Sequence, residues 1–450
     1  MNQTNVESTA GALDPIFNGN GILRLPHPAI SGFQASAVLT LAAGKLIVVI
    51  PLLGQGAGFA VARLNEDASL DKDFDDKKQG FVHVDLEQYE ELKIFGISAA
   101  TNGGWLIFGS ATLATVSGML IVRQLPNGQL DTSLNGTGIL HIPNNEFGNS
   151  NHDPMQQIIE KNSYSANQAS RPTLPSLVEQ ADGKFVLLTY GSDNAGKRKG
   201  IVLRRNLDGS RDLTFNGTGF AIVELADVAH ESNTAAAVAV QADGHLLVCG
   251  QFNNGRDDRG AFVTRLDTQG RLDPGFNSGR TVTISNTTQI GFNSVTVRKS
   301  DGAILVAGYV QPGIGESHQG LIVVLNTSGS YNLVFNRGKP LYSALTPDGS
   351  AWYRCAWATS GSIVVAGGTG NGYPTEILTA ITARLVADGS LDPTFNEGKG
   401  FAIFNDDEGY ESTLDMTVME DGRIVVCGAL YNIVGPWPDV TGGWVLRYLA

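Results

Sequence analysis

Between residues 236 and 284 short apolar runs alternate with polar turns in a fixed order. "AAVAV" is followed by "QADG", then "HLLVCG", a variable loop, "AFVTRLD", the turn "TQGRLDPGF" and finally "TVTI". Short runs rich in Val, Ile, Leu and Phe, bounded by Asp-Gly or Gly-rich turns, predict β-strands joined by hairpins. The unit is a four-stranded antiparallel meander.

The unit recurs. Its turn phrase, "LDPGFN" at Leu272, reappears at Leu13, Leu70, Leu130, Arg211, Tyr331 and Leu391, and successive copies begin 57, 60, 81, 61, 59 and 60 residues apart. The long interval holds an insertion within residues 144–172. Four-stranded units that cannot bury both faces alone stack as blades around an axis, which predicts an all-β, seven-bladed β-propeller. The last copy stops three strands into its blade, and the first begins with the missing turn and strand. Pairing residues 21–25 beside 444–449 would close the ring and remove an exposed edge. The expected organisation is an N-terminal tail (1–12) and one propeller domain (13–450), with 144–172 as an inserted loop.

"LDPTFN", "AVAVQADGHLLVCG" and "FVTRLDTQGRLDPGFN" resemble the bacterial delta-60 repeat family over nearly the whole chain. The resemblance implies a propeller fold and brings no catalytic residue, because that motif is a scaffold motif. The copy at Tyr331 departs most, with Tyr331 and Asn332 replacing Leu-Asp.

Comparing the copies separates scaffold from candidate chemistry. Seven residues before each phrase stand Arg63, Arg123, Arg204, Arg265, Arg384 and Arg447, with Val324 the exception. A ligand seldom needs a group in every blade, whereas packing does. Each arginine is therefore expected to pair with a turn carboxylate, such as Asp14 or Asp273, while its stem covers apolar surface. The Asx residues Asn18, Asp75, Asn135, Asn216, Asn277, Asn336 and Asn396 are read as turn formers. Cys249 and Cys427 fill a slot that is apolar in the other copies, and Cys355 aligns with Val38 and Val238, so all three thiols are read as core. His83 and His141 align with Arg24 and are expected to be solvated. The stretches "NGTG" and "GTGNG" lack the strand-then-helix context of a nucleotide site.

No GxSxG, HExxH or CxxC occurs, so no catalytic residue, metal site or cofactor is assigned. The acidic run Asn405, Asp406, Asp407 and Glu408 lacks the ligand spacing of a calcium loop. The 31 Lys+Arg against 44 Asp+Glu give a formal charge of -13, which repels phosphate backbones and excludes nucleic acid as the expected partner. No stretch of ~20 apolar residues predicts membrane insertion. The start has no secretory n-region or h-region, from which a soluble monomer is expected, cytoplasmic or exported without a leader.

In such a blade the one-to-two and three-to-four turns share one end of the ring. These are monotonous ("ADGK", "ADGH", "EDGR"), whereas the opposite end varies in every copy, from "YGSDNAGKRKG" to "LYNIVGPWPDVTGG". Variable loops on a rigid scaffold carry recognition. Aromatic residues there (Tyr89, Phe252, Tyr309, Tyr373, Tyr410, Tyr431, Trp437) mingle with charges including Lys197, Arg198, Lys199, Arg256 and Asp257. The expected function is a non-enzymatic module holding a protein or glycan partner, with Tyr373, Tyr410, Tyr431, Trp437, Arg256 and Asp257 as contacts. The alternative is a hydrolase or lyase working at the mouth of the central channel.

Overall fold

The computed structural model describes residues 9–53, 58–147, 176–192, 196–255, 259–286, 288–313, 316–370, 378–406, 409–434 and 437–450. Most of the 144–172 insertion lies outside the described residues. Seven four-stranded antiparallel sheets form blades 1 (37–84), 2 (89–143), 3 (177–222), 4 (232–286), 5 (290–343), 6 (350–404) and 7 (410–448 with 22–25). Blade 4 shows the pattern: Ser232–Val240 lies inside, then Leu246–Asn253, Arg259–Leu266 and the outer strand Val282–Asn286.

Strands of a blade are apolar on both sides because each face meets a neighbouring blade. Leu247 and Cys249 pack with blade 5, while Leu246 and Val248 pack with blade 3. Seven such clusters, one per junction, form the core. This is why the second strands read as continuous hydrophobic runs and do not alternate.

The ring closes as the sequence predicts. The strand Ile22–Leu25 pairs antiparallel with Trp437–Tyr448, in the register Ile22 to Leu446 and Leu25 to Gly443. Gly11 N–H donates to the Leu449 carbonyl and Leu449 N–H to that of Ala12. Residues 10–12 thereby supply the three-to-four turn that the C-terminal strands lack.

The constant end is held by a recurring clamp. In six blades an arginine Nε donates to the aspartate eight positions along its phrase: Arg63 to Asp71 at 2.7 Å, Arg204 to Asp212 at 2.6 Å, Arg265 to Asp273 at 2.6 Å and Arg384 to Asp392 at 2.8 Å. Arg123 pairs with Asp131 at 2.9 Å, and across the chain ends Arg447 pairs with Asp14 at 2.7 Å. The guanidinium also lies over the phrase aromatic, 4.6 Å from the Phe215 centroid for Arg204 and 4.8 Å from that of Phe17 for Arg447. Where the aromatic is replaced by Leu134, Arg123 instead takes Glu179 of the next blade.

Each clamp reaches onward to the following blade. Asn216 N–H donates to the Gln269 carbonyl at 2.7 Å, Asn277 to Ser328 at 2.6 Å, Asn336 to Asp388 at 2.8 Å and Asn396 to Ala10 at 2.7 Å. These asparagines adopt positive φ (53° for Asn216), a conformation that Asn tolerates better than most residues. Gly270 abuts the Phe215 ring so closely that a Cβ would sit 2.8 Å from it, at a φ of 82°. A side chain there would force the two blades apart.

Asp212 also takes a hydrogen bond from Lys184, whose Nζ lies 3.2 Å away. Burial works to raise this carboxyl, but hydrogen bonds from Thr214 and Lys184 and the charge of Arg204 outweigh it and hold the group down at about 2. An unfolded aspartate titrates near about 4. The clamp's contribution is therefore complete above that pH and is lost as pH falls towards 2. Asp212→Asn should lower the melting temperature at pH 7 and flatten its fall across this acid range, with a cost of about 3 kcal/mol for a broken buried pair. A thermal melt series from pH 2 to 7 checks this, and superimposable curves would contradict it.

Deleting residues 1–25 removes the last blade's outer strand and the turn that receives Asn396. A large drop in melting temperature, or aggregation through the exposed strand 437–448, is expected. An unchanged melt would be incompatible with this closure.

Candidate functional site

The variable end is shaped by strands that outrun the repeat. In blade 7 the second and third strands, Ile424–Val434 and Trp437–Tyr448, are 11 and 12 residues long. Elsewhere these strands are shorter, for example six in blade 1 and eight in blade 4. The segment "LYNIVGPWPDVTGG", read from sequence as a long loop, is therefore largely a projecting hairpin, with Val434 opposite Trp437. Tyr431 stands directly opposite Tyr410 of the inner strand Tyr410–Val418. Both rings are half-buried. Tyr373, Arg256 and Asp257 lie outside the described residues and only the backbone of Trp437 is described, so two of the six anticipated contacts have described side chains, and these two stand opposite each other in the sheet.

Other aromatics expected on this surface are not on it. Tyr89, Phe252 and Tyr309 are 5–7 % exposed and belong to strands. Tyr309 packs against Ala351 and Tyr353, with the His318 ring 5.7 Å away, and burial pushes its phenol up to about 12. Charges here are also engaged. Lys197 pairs with Glu231, Arg198 covers the Tyr190 ring at 4.0 Å, and Arg24 binds Asp406 at 2.9 Å. Lys199 Nζ lies 3.2 Å from His230 Nε2, and His230 Nδ1 lies 3.0 Å from the Val228 carbonyl, which assigns the proton to Nδ1.

The cysteine thiols are buried and raised by that burial, Cys355 to about 12 and the other two well above the usual thiol value. None is poised as a nucleophile. His83 is exposed, but His141 is half-buried against Tyr89 and its imidazole is lowered by burial. Among the described residues no group of three His, Cys, Asp or Glu side chains could hold a metal ion, and no helix is long and apolar enough to cross a membrane.

Sequence reasoning missed an ion pair in the axial lumen. One inner-strand position faces the following blade, and in blades 1, 2, 4 and 5 it holds Ala37, Gly96, Ala237 and Ser294. Blades 6 and 7 place Arg354 and Asp415 there. Arg354 Nε donates to Asp415 Oδ1 at 2.9 Å, and Asp415 Oδ2 accepts Val38 N–H of blade 1 at 3.1 Å. The two side chains leave their strands into successive junctions. They can meet only around the inner edge of Tyr410–Val418, which places the guanidinium on the lumen. The signal was in the repeats: Arg354 is one position before Cys355, where other copies have Ala37 and Ala237.

A family model described as "Domain of unknown function (DUF5122) beta-propeller" matches residues 180–215, 241–276 and 359–395. The chain is a seven-bladed propeller related to that family. Each matched stretch runs from a one-to-two turn to the end of the clamp phrase, so the match falls on the scaffold. No curated protein matches. Among solved structures, a protein of unknown function from Dyadobacter fermentans is 12% identical with a TM-score of 0.44, over 81% of this chain and 96% of that one. The polysaccharide lyase Uly1 is 9% identical with a TM-score of 0.46, covering 94% and 93%. A Hadza microbial sialidase is 9% identical with a TM-score of 0.41, covering 90% and 73%. These are likenesses of fold, and a propeller fold hosts many functions.

Proposed function

We propose that this propeller is a non-enzymatic binding module of the delta-60 repeat type, which holds a protein or glycan partner at its variable end. The observation that carries the reading is the facing pair Tyr410 and Tyr431 at the root of the blade 7 hairpin. The second and third strands of blade 7 are the longest such pair among the described residues, 11 and 12 residues against nine and nine in blade 2. Half-buried tyrosines offer rigid contact area at little entropic cost, the property that makes aromatic residues anchors of recognition. Tyr373, Trp437, Arg256 and Asp257 are proposed as further contacts of the module.

The second reading, a hydrolase or lyase, draws on the Arg354–Asp415 pair as charged chemistry in the channel. Against it, the two groups are already each other's partners. The carboxyls held low, such as Asp71, Asp131, Asp212 and Asp392, sit in the constant-end turns as clamp members.

Partner capture on a glycan array and in pull-downs separates the readings. The double variant Tyr410→Ala/Tyr431→Ala should weaken capture at least about tenfold without changing the circular dichroism. Lys184 is unsuitable as the opposite-end control because it bonds Asp212, so exposed Gln269, in the blade 4 turn, serves instead. Gln269→Ala should leave capture intact. Loss with Gln269→Ala and retention with the tyrosine variant would place recognition at the wrong end.

A further inference from the structure

In the two neighbouring blades the slot occupied by Arg354 holds an acceptor, a role arginine cannot take. Ser294 Oγ accepts Cys355 N–H at 3.2 Å, and Asp415 likewise accepts Val38 N–H, so in blades 5 and 7 the slot caps an amide of the following inner strand, while in blade 3 Ser176 donates to the Val238 carbonyl. A guanidinium has only donors. Arg354 therefore caps nothing, and small residues at the same slot show that packing does not demand its bulk.

The donor count leaves part of this guanidinium unspent. Nε goes to Asp415, and Nη1 goes to the Tyr353 carbonyl at 3.2 Å. Nη2 makes no hydrogen bond among the described residues. The Arg354 side chain keeps 22% of its surface exposed, against 0–1% for the clamp arginines Arg123 and Arg447. Asp415 is the more enclosed partner, at 13%, with both oxygens engaged. The pair is thus fixed through Nε, while Nη2 on the opposite edge makes no hydrogen bond among the described residues.

We propose that the Nη edge of Arg354 is an anion subsite in the axial lumen and that it takes a monocarboxylate, free or as the acid group of a sugar-acid unit. A planar carboxylate matches the guanidinium fork. A phosphate dianion would bring a second charge next to Asp415 and into a chain of formal charge -13, so the singly charged acid is favoured. Asp415 is a positioning residue: it holds the fork's Nε and leaves the other edge presented. The inference rests on the reading of the protein as a binding module, but not on the blade 7 hairpin.

The test is calorimetric titration of the full chain at low salt with D-glucuronate, D-glucose, inorganic phosphate and a galacturonate trimer. Glucuronate should bind, with glucose and phosphate at least about tenfold weaker. Arg354→Gln should remove glucuronate binding. Since that variant leaves Asp415 without its cation, Arg354→Gln/Asp415→Asn restores a neutral pair, and should keep the melting temperature while still failing to bind. Tighter binding of the trimer assigns the subsite to a glycan, and preference for the monomer assigns it to a free acid. The proposal is overturned if the wild type binds no carboxylate, if glucose or phosphate binds as tightly as glucuronate, or if the double variant binds glucuronate like the wild type. Tyr410→Ala/Tyr431→Ala should titrate glucuronate as the wild type does, so the hairpin reading and the lumen reading fail separately.

Discussion

A guanidinium held between a carboxylate and an aromatic face is the contact on which the ring depends. Apolar burial supplies most of the attraction between blades, but it has no direction, and two flat sheets could slide against each other with little change in buried area. The clamp gives that attraction a register. Arg204 fixes Asp212 and lies over Phe215, which brings Asn216 to the carbonyl of Gln269 and the Phe215 ring against Gly270. One blade's turn is thereby docked on the next at a defined angle. Repeating the angle closes the circle, and the final repeat is completed by residues 10–25.

Burying arginine is tolerable here because each charge is paired and hydrogen-bonded where it is buried. Blade 5 shows what the clamp can lose. Val324 replaces the arginine and Asn332 the aspartate, yet Asn332 Oδ1 still accepts Val334 N–H, and Asn336 N–H still reaches Asp388. The turn survives without the charge pair because the Asx geometry and the inter-blade amide bond remain. A neighbouring clamp on each side holds the ring.

The architecture was legible because a scaffold contact must be written once per blade. Strand order, blade number and the closing strand all followed from the seven copies of one phrase, and the arginines were read as packing groups from their recurrence. The site was less legible because function is carried by departures from the repeat. Tyr89, Phe252 and Tyr309 resembled loop aromatics, but the strands Tyr89–Ala99, Leu246–Asn253 and Ile304–Val310 run further than their apolar cores and bury them. The blade 7 hairpin reads as a loop in the sequence because Gly435, Pro436 and Pro438 are strand breakers. Arg354 and Asp415 escaped notice because they pair between blades, 61 residues apart in the chain, which no local spacing reveals.

The account divides the molecule into a constant end that sets geometry and a variable end and lumen left free to differ. Its central claim, that the clamp couples neighbouring blades into one cooperative unit, is tested most directly by native-state hydrogen exchange at the amides of Asn216 and Asn277. If the clamp holds the ring, these turn amides exchange only through global unfolding, with the same free energy of opening as Val248 in the middle of a blade. Exchange through local openings well below that free energy, while Val248 stays protected, would show that the blades are held by apolar burial alone and would contradict the account.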